Sequence, residues 1–321
     1  MPATLHYEHD IHVVDAEYVR PGLAAVHLVI EGDRAALIDT GTGPGVPNVL
    51  AALAELGVAP SGVDYVIVTH VHLDHAGAAG ALLAACPNAR LVVHPKGARH
   101  LIDPSKLVQS ALAVYGEVAF RAHHGDIVPA PAERVIEAGD GFVLDFGRRR
   151  FSFIDTPGHA RHHYCIHDSL GNGIFTGDTF GISYREFDVA GRPFIFPTTT
   201  PVQFEPAPLH ASFDRIVASG ATAAYLTHYG RVTGLPRLVT DLHELLDRYV
   251  ELALAAPGAG AARHAWLAGE METLLLKRAR AHGCSLEDAT IKALLANDVD
   301  LNTQGLLVWR DRLPEPASAP A

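Results

Sequence analysis

Three histidines and an aspartate fall within six residues of one another between Thr69 and Gly77: His70, His72, Asp74 and His75. Imidazole and carboxylate at this density suit a borderline divalent cation such as zinc. In extended chain His70 and His72, two apart, point the same way. Asp74 and His75 can then turn toward a second point, so the spacing suggests two ions rather than one. The chain has 20 histidines, and a surface loop that happens to be rich in them is the competing explanation.

Recurrence decides between the two. The motif follows an apolar run, Tyr65 to Val68, and the same syntax returns four more times. Ala36 to Ile38 ends at Asp39, Phe151 to Ile154 leads to His159, Ile174 and Phe175 lead to Asp178, and Tyr225 and Leu226 lead to His228. Each is a short buried-strand pattern closed by a small turn that carries Asp or His. Sites in α/β sheets form at the carboxyl ends of strands, so five polar strand ends on one edge make a site.

These residues resemble the metallo-β-lactamase-fold hydrolase superfamily, whose five motifs are all present in order over residues 39 to 230. The resemblance covers about the first two thirds of the chain. It implies that His70, His72 and His159 bind one metal, that Asp74, His75 and His228 bind another, and that Asp178 bridges both. Two divalent ions so held share one water, lower its pKa toward about 7 and polarise the oxygen it attacks. Asp74 would orient that nucleophile and shuttle its proton. Asp39 comes too early for a ligand and is expected to orient a ligand histidine. Tyr184, shortly after Asp178, is the candidate oxyanion donor, with packing as its competing role. His162 and His163 are expected behind the ligands or at the surface. Zinc is the expected ion, and a set of His and Asp without thiolate also accepts iron or manganese.

The elements that must position these residues read as α/β. Strands are expected near 11–14, 24–31 and 35–39, with a hairpin turn at Gly32 and Asp33, then at 64–69 and 91–93. Helices are expected from Val46 to Leu56 and from about Ala78 to Ala85. Two such halves with helices outside imply a four-layer αβ/βα metallo-β-lactamase sandwich, with the site in the cleft between the sheets. The catalytic domain is placed at 1–234. Within it, 96–130 is either a helical lid or a flanking helix, with one amphipathic stretch at about 104–121. The loop 180–208, with Phe180, Tyr184, Phe187, Phe194, Phe196 and Phe204, is expected as pocket wall, with structural packing as the competing role of most of these aromatics individually. A helical C-terminal extension at 235–313 could form a subdomain, a homodimer interface or a second pocket wall. Its third helix starts at a variant capping box, Ser285 to Asp288. The tail at 314–321 is expected to be disordered.

Composition narrows the function. The net charge is −11, and the only basic knot, Arg148 to Arg150, reads as a solvated hairpin. Phosphate backbones need a positive surface, so no nucleic-acid partner is expected. No apolar window reaches the roughly 18 residues of a membrane span. With no signal core at the N-terminus and three scattered cysteines, Cys86, Cys165 and Cys284, a cytoplasmic location is expected.

Among branches of the superfamily, exported β-lactamases mostly lack the bridging Asp, and flavodiiron reductases need a flavin domain this length cannot hold. A glyoxalase II-like thioesterase shares the ligand set, but no basic patch is evident, nor any positive charge near the donors beyond the metals. The best fit is a binuclear hydrolase of an ester, lactone or thioester of a small, partly apolar substrate, in a lactonase-like or glyoxalase II-like branch. A persulfide dioxygenase-like mononuclear iron oxidoreductase, a phosphodiesterase and a binding protein without turnover are the alternatives.

Overall fold

The computed structural model describes residues 4–314, so all but the first residue of the expected tail lies outside the described residues. Two sheets face each other. The first is seven-stranded, in the order β1 Leu5–Tyr7, β2 Ile11–Asp15, β3 Ala25–Glu31, β4 Arg34–Ile38, β5 Val63–Ile67, β6 Arg90–Val93 and β7 Val135–Glu137. The second contains β8 Val143–Phe146, β9 Arg149–Asp155, β10 Tyr164–Asp168, β11 Gly173–Gly177, β12 Ala223–Leu226 and β13 Gly230–Thr233, also adjacent in chain order. Helices α1 Val46–Glu55, α2 Leu73–Ala76, α3 Ala79–Ala85, α4 Pro95–Ile102, α5 Ser105–Tyr115 and α6 Glu117–His124 connect strands of the first sheet. Helices α7 Pro206–Ala218, α8 Leu235–Ala255, α9 Gly260–His282 and α10 Asp288–Arg310 follow.

Period-two side-chain alternation builds the layers. Ala36, Ile38, Ile67 and Val92 join Phe151, Phe153, Ile166 and Phe175 in a cluster between the sheets. Their neighbours Leu37, Val66 and Leu91 face the other way, into the helix-covered core, as do Ile174 and Ala224 of the second sheet. Strands β4 to β7 are parallel, and so are β11 and β12. Parallel neighbours need crossovers, so the turns leaving β4, β5, β11 and β12 all emerge at carboxyl ends. The sandwich expected from the sequence is the observed fold.

The C-terminal helices continue the same core. Leu238, Leu242, Leu245, Leu246 and Tyr249 form the buried stripe of α8, meeting Leu267, Met271 and Leu275 of α9 and Ile291, Leu295 and Leu306 of α10. Helix α9 stops where Gly283 takes φ +97°, a left-handed cap that a side chain would strain. The capping box does not form: Glu287 is the N-cap of α10 and makes no side-chain bond there.

Three local expectations change. The stretch 104–121 is two helices, broken at Gly116 with φ +74°, and Val118 points to solvent at 86% exposed. The basic knot is not uniformly solvated. Arg149 is buried, 2.6 Å from Asp168 and 3.1 Å from Glu31, because its place in β9 turns it inward between two carboxylates. The six aromatics of 180–208 are all buried in the core, several against the C-terminal helices, as where Phe204 meets Trp309. They pack the core, and Tyr184 also lines a second, smaller cavity beside Asp74, Asp178 and His228. Among the described residues no helix is long and apolar enough to cross a membrane.

Candidate metal centre

The donors sit on turns at strand ends. His70 and His72 follow β5, His159 follows β9, Asp178 follows β11 directly, and His228 lies just beyond β12. Helix α2, a single turn that the sequence did not suggest, carries Asp74 and His75. The structure brings all seven together as two groups: His70, His72, His159 and Asp178 in one, Asp74, His75 and His228 in the other.

In the first group His72 Nδ1 lies 2.9 Å from His70 Nε2 and 3.0 Å from His159 Nε2. In the second, Asp74 Oδ2 is 3.6 Å from His75 Nε2 and 3.4 Å from His228 Nε2. Asp178 stands between the groups. Its Oδ2 is 3.4 Å from His159 Nε2, while its Oδ1 is 3.0 Å from His75 Nε2 and 3.4 Å from His228 Nε2. Each carboxylate oxygen thus faces one group.

The supports behind the donors are specific. Asp39 Oδ2 is 2.8 Å from His75 Nδ1 and accepts the Thr227 hydroxyl at 2.6 Å, while Oδ1 accepts the Thr69 amide at 2.8 Å. That is the orienting role expected of it. His228 Nδ1 lies 2.7 Å from the Leu23 carbonyl, fixing Nε2 toward the site. His163, fully behind the ligands, accepts the Asp178 amide at 3.3 Å and contacts the hydroxyls of Thr156 and Thr179. His162 accepts the Val71 amide at 3.4 Å. Gly177 takes φ +47°, and a Cβ there would collide with Thr69 Oγ1 and come within 2.7 Å of His163 Nε2. Only glycine lets the chain turn Asp178 into the cleft this tightly.

Electrostatics separates the groups. Burial holds His70 far below the ordinary imidazole value, and burial with the neighbouring His159 pulls His72 down to about 3. Both are neutral ligands in waiting. Burial also opposes charge on His75, but Asp178, Asp74 and Asp39 outweigh it and push its pKa well up. His228 is raised as well, burial being outweighed chiefly by Asp178. Against the same burial, His75 and then His228 hold Asp74 below the carboxylate range.

Does this donor set fit a metal? His75 Nε2 and Asp178 Oδ1 are buried and face each other, yet neither has a hydrogen-bond partner among the described residues. Buried polar atoms rarely go unsatisfied, and a cation between donors would satisfy both. The set is imidazole and carboxylate without thiolate, the chemistry of zinc, iron or manganese. The residues fit divalent metal.

Tyr184, the candidate oxyanion donor, lines a second, smaller cavity with Asp74, Asp178 and His228. It donates to the Asp298 carboxylate, 3.1 Å from each oxygen, and is buried. Asp298 comes from α10 and was missed in the sequence. Spaced three and seven residues from Leu295 and Ile291, it falls on the buried stripe of its helix, and that periodicity was the available signal. Burial pushes its pKa up to about 6.

A cavity of about 290 Å³ opens over the donors, lined by His72, Asp74 and Asp178. Its apolar lining includes Val71, Leu73, Leu107, Ala111, Val202 and Leu301. The insertion therefore contributes a wall through α5, and α10 contributes another through Leu301. From 180–208 the wall takes the segment Thr200 to Gln203 rather than the aromatics. Lys106 also lines it, so a positive charge does stand near the donors, contrary to the sequence reading.

A family model described as the metallo-beta-lactamase superfamily matches residues 19–228. The chain is 30% identical over 196 residues to the metallo-beta-lactamase fold-containing protein ST1585 of Sulfurisphaera tokodaii, a match covering 60% of this chain and 68% of that one. It is 29% identical over 166 residues to the acyl-coenzyme A thioesterase MBLAC2 of Gallus gallus, covering 48% and 57% respectively. The crystal structure of ST1585 from Sulfolobus tokodaii superposes with a TM-score of 0.66 at 22% identity, over 93% of this chain and 98% of that chain.

Proposed function

The chain belongs to the metallo-beta-lactamase superfamily, and we propose that it is a metal-dependent hydrolase cleaving an ester, lactone or thioester of a small, partly apolar substrate. The observation that carries this reading is Asp178, with one oxygen turned to each donor group. A shared carboxylate between two complete donor sets supports two divalent ions, zinc first, held by His70, His72 and His159 on one side and Asp74, His75 and His228 on the other. Bound there, such ions polarise a carbonyl and acidify water.

The chain's own residues do the rest. Asp74 lines the cavity with Oδ2 3.4 Å from His228 Nε2, placed to orient the nucleophile and pass its proton to the leaving group. Asp39 and the Leu23 carbonyl hold His75 and His228 in one orientation. Val71, Leu73, Leu107, Ala111 and Leu301 exclude water from the acyl portion. A cavity of about 290 Å³ and a net charge of −11 favour a small molecule over nucleic acid, and the thioesterase among the relatives agrees with a thioester.

The test is a panel of esters, lactones, thioesters and phosphodiesters on metal-replete protein. Burying a methylene is worth about 0.8 kcal/mol, close to fourfold in affinity, so catalytic efficiency should climb with acyl length until the cavity fills. Phosphodiester turnover above that of every ester, or a flat response to length, would overturn the reading. So would a single iron per chain as the whole metal content, which belongs to the dioxygenase alternative.

A further inference from the structure

The cavity over the donors has one formally cationic side chain in its lining, Lys106, in the first turn of α5. In this acidic chain most cations are engaged: Arg34 with Asp64, Arg149 with Asp168, Arg161 with Glu205, Lys292 with Glu272. Among the described residues Lys106 makes no salt bridge, although its charge is felt by Asp103 and His100. The nearby Asp103 carboxylate is occupied by the amide and hydroxyl of Ser105. Burial, with Arg99 and Lys106, holds the neighbouring His100 below its usual value, so Lys106 carries the positive charge of this wall. The lining beside it, Leu107, Ala111, Leu73 and Val202, is apolar.

Building on the hydrolase reading, we propose that the substrate carries an anionic group, a carboxylate or a phosphate, separated from the scissile carbonyl by an apolar segment, and that Lys106 binds it. Lys106 acts here as a specificity residue and takes no part in bond cleavage.

The experiment compares p-nitrophenyl hexanoate with the p-nitrophenyl monoester of adipate, which adds only a terminal carboxylate. Hexanoyl thioesters of N-acetylcysteamine and of phosphopantetheine test the alternative, an anion on the leaving group. Wild-type protein should prefer one anionic substrate over its neutral partner. Lys106→Gln should raise KM for that substrate about fivefold with kcat nearly unchanged, the scale of a partly solvated ion pair. Lys106→Glu should raise it further, and neutral esters should be unaffected. Equal handling of charged and neutral partners by the wild type, or a preference that survives in Lys106→Gln, overturns the proposal. If no ester or thioester is cleaved, the hydrolase reading fails instead. Calorimetric titration with adipic acid monoamide and hexanamide, which differ in the terminal carboxylate, then decides for Lys106: its replacement should weaken the anionic ligand alone, and an equal effect on both overturns the proposal.

Discussion

The two donor groups share residue types and lie side by side, but the chain has prepared them differently. The first is three imidazoles kept neutral by burial, with His72 pulled down to about 3, and His70 meets Asp39 only indirectly, through a threonine hydroxyl 3.2 Å away. The second sets His75 between the carboxylates of Asp178, Asp74 and Asp39, and its imidazoles hold protons more tightly than usual. A neutral group offers lone pairs at once. A charged one must release protons before it can accept a cation, and gains more electrostatic attraction when it does. Identity of the ligand side chains therefore says little about how a site loads; the carboxylates behind them decide it.

Asp178 is the one element common to both groups, and its loss should have the largest effect. Asp178→Ala should lower occupancy of both metal positions and cut turnover by about 10³-fold or more, as expected when several kcal/mol of charge stabilisation are lost. Elemental analysis beside kinetics checks this; unchanged occupancy at either position would break the symmetry claimed for its two oxygens. Asp39→Asn should act mainly on the second group, because Asp39 contacts His75 directly and reaches His70 only through the Thr69 hydroxyl. The second group should lose about 10- to 100-fold in metal affinity, the usual cost of removing a carboxylate behind a ligand histidine. The first group, reached through the Thr69 hydroxyl, should lose less, and equal losses in a metal-competition titration would show that direct contact with Asp39 does not set the second group apart.

Acidity sharpens the same contrast. The raised pKa values of His75 and His228 mean that both hold their protons to higher pH than an ordinary imidazole in the metal-free protein. Affinity at the second group should fall as pH drops, roughly tenfold per unit for each proton displaced. The first group, whose imidazoles are depressed and already deprotonated, should stay flat over pH 6 to 8. Calorimetry in buffers of different ionisation enthalpy would count the protons released at each step.

Much of this was legible before any coordinates. The alternation in β4, β5, β9, β11 and β12 and the polar turn closing each marked the layers and a site at their carboxyl ends, because strand period is a local signal, and the family resemblance assigned the seven donors. What escaped depends on partners far along the chain. Arg149 looks solvated until Glu31 and Asp168 meet it. The aromatics of 180–208 look like pocket wall until α8 to α10 cover them. Gly116 was visible as a helix breaker, yet the apolar spacing on either side of it argued for one continuous helix. Lys106 carried no signal at all, since a single lysine on an amphipathic helix gives no hint of the cavity beside it.

The hydrogen bond from Thr227 to Asp39 spans 188 positions of sequence, and it has a consequence for the order in which the molecule is made. Chains emerge from the ribosome from the N-terminus onward. His70, His72 and His159 exist as a set well before His228 does, so the neutral group can assemble on a nascent chain while the charged one still lacks a donor and the clasp behind Asp39. Translation itself thus imposes a sequence on the centre. The half that needs no proton release is available first, and the half that does can close only after some seventy further residues have been added.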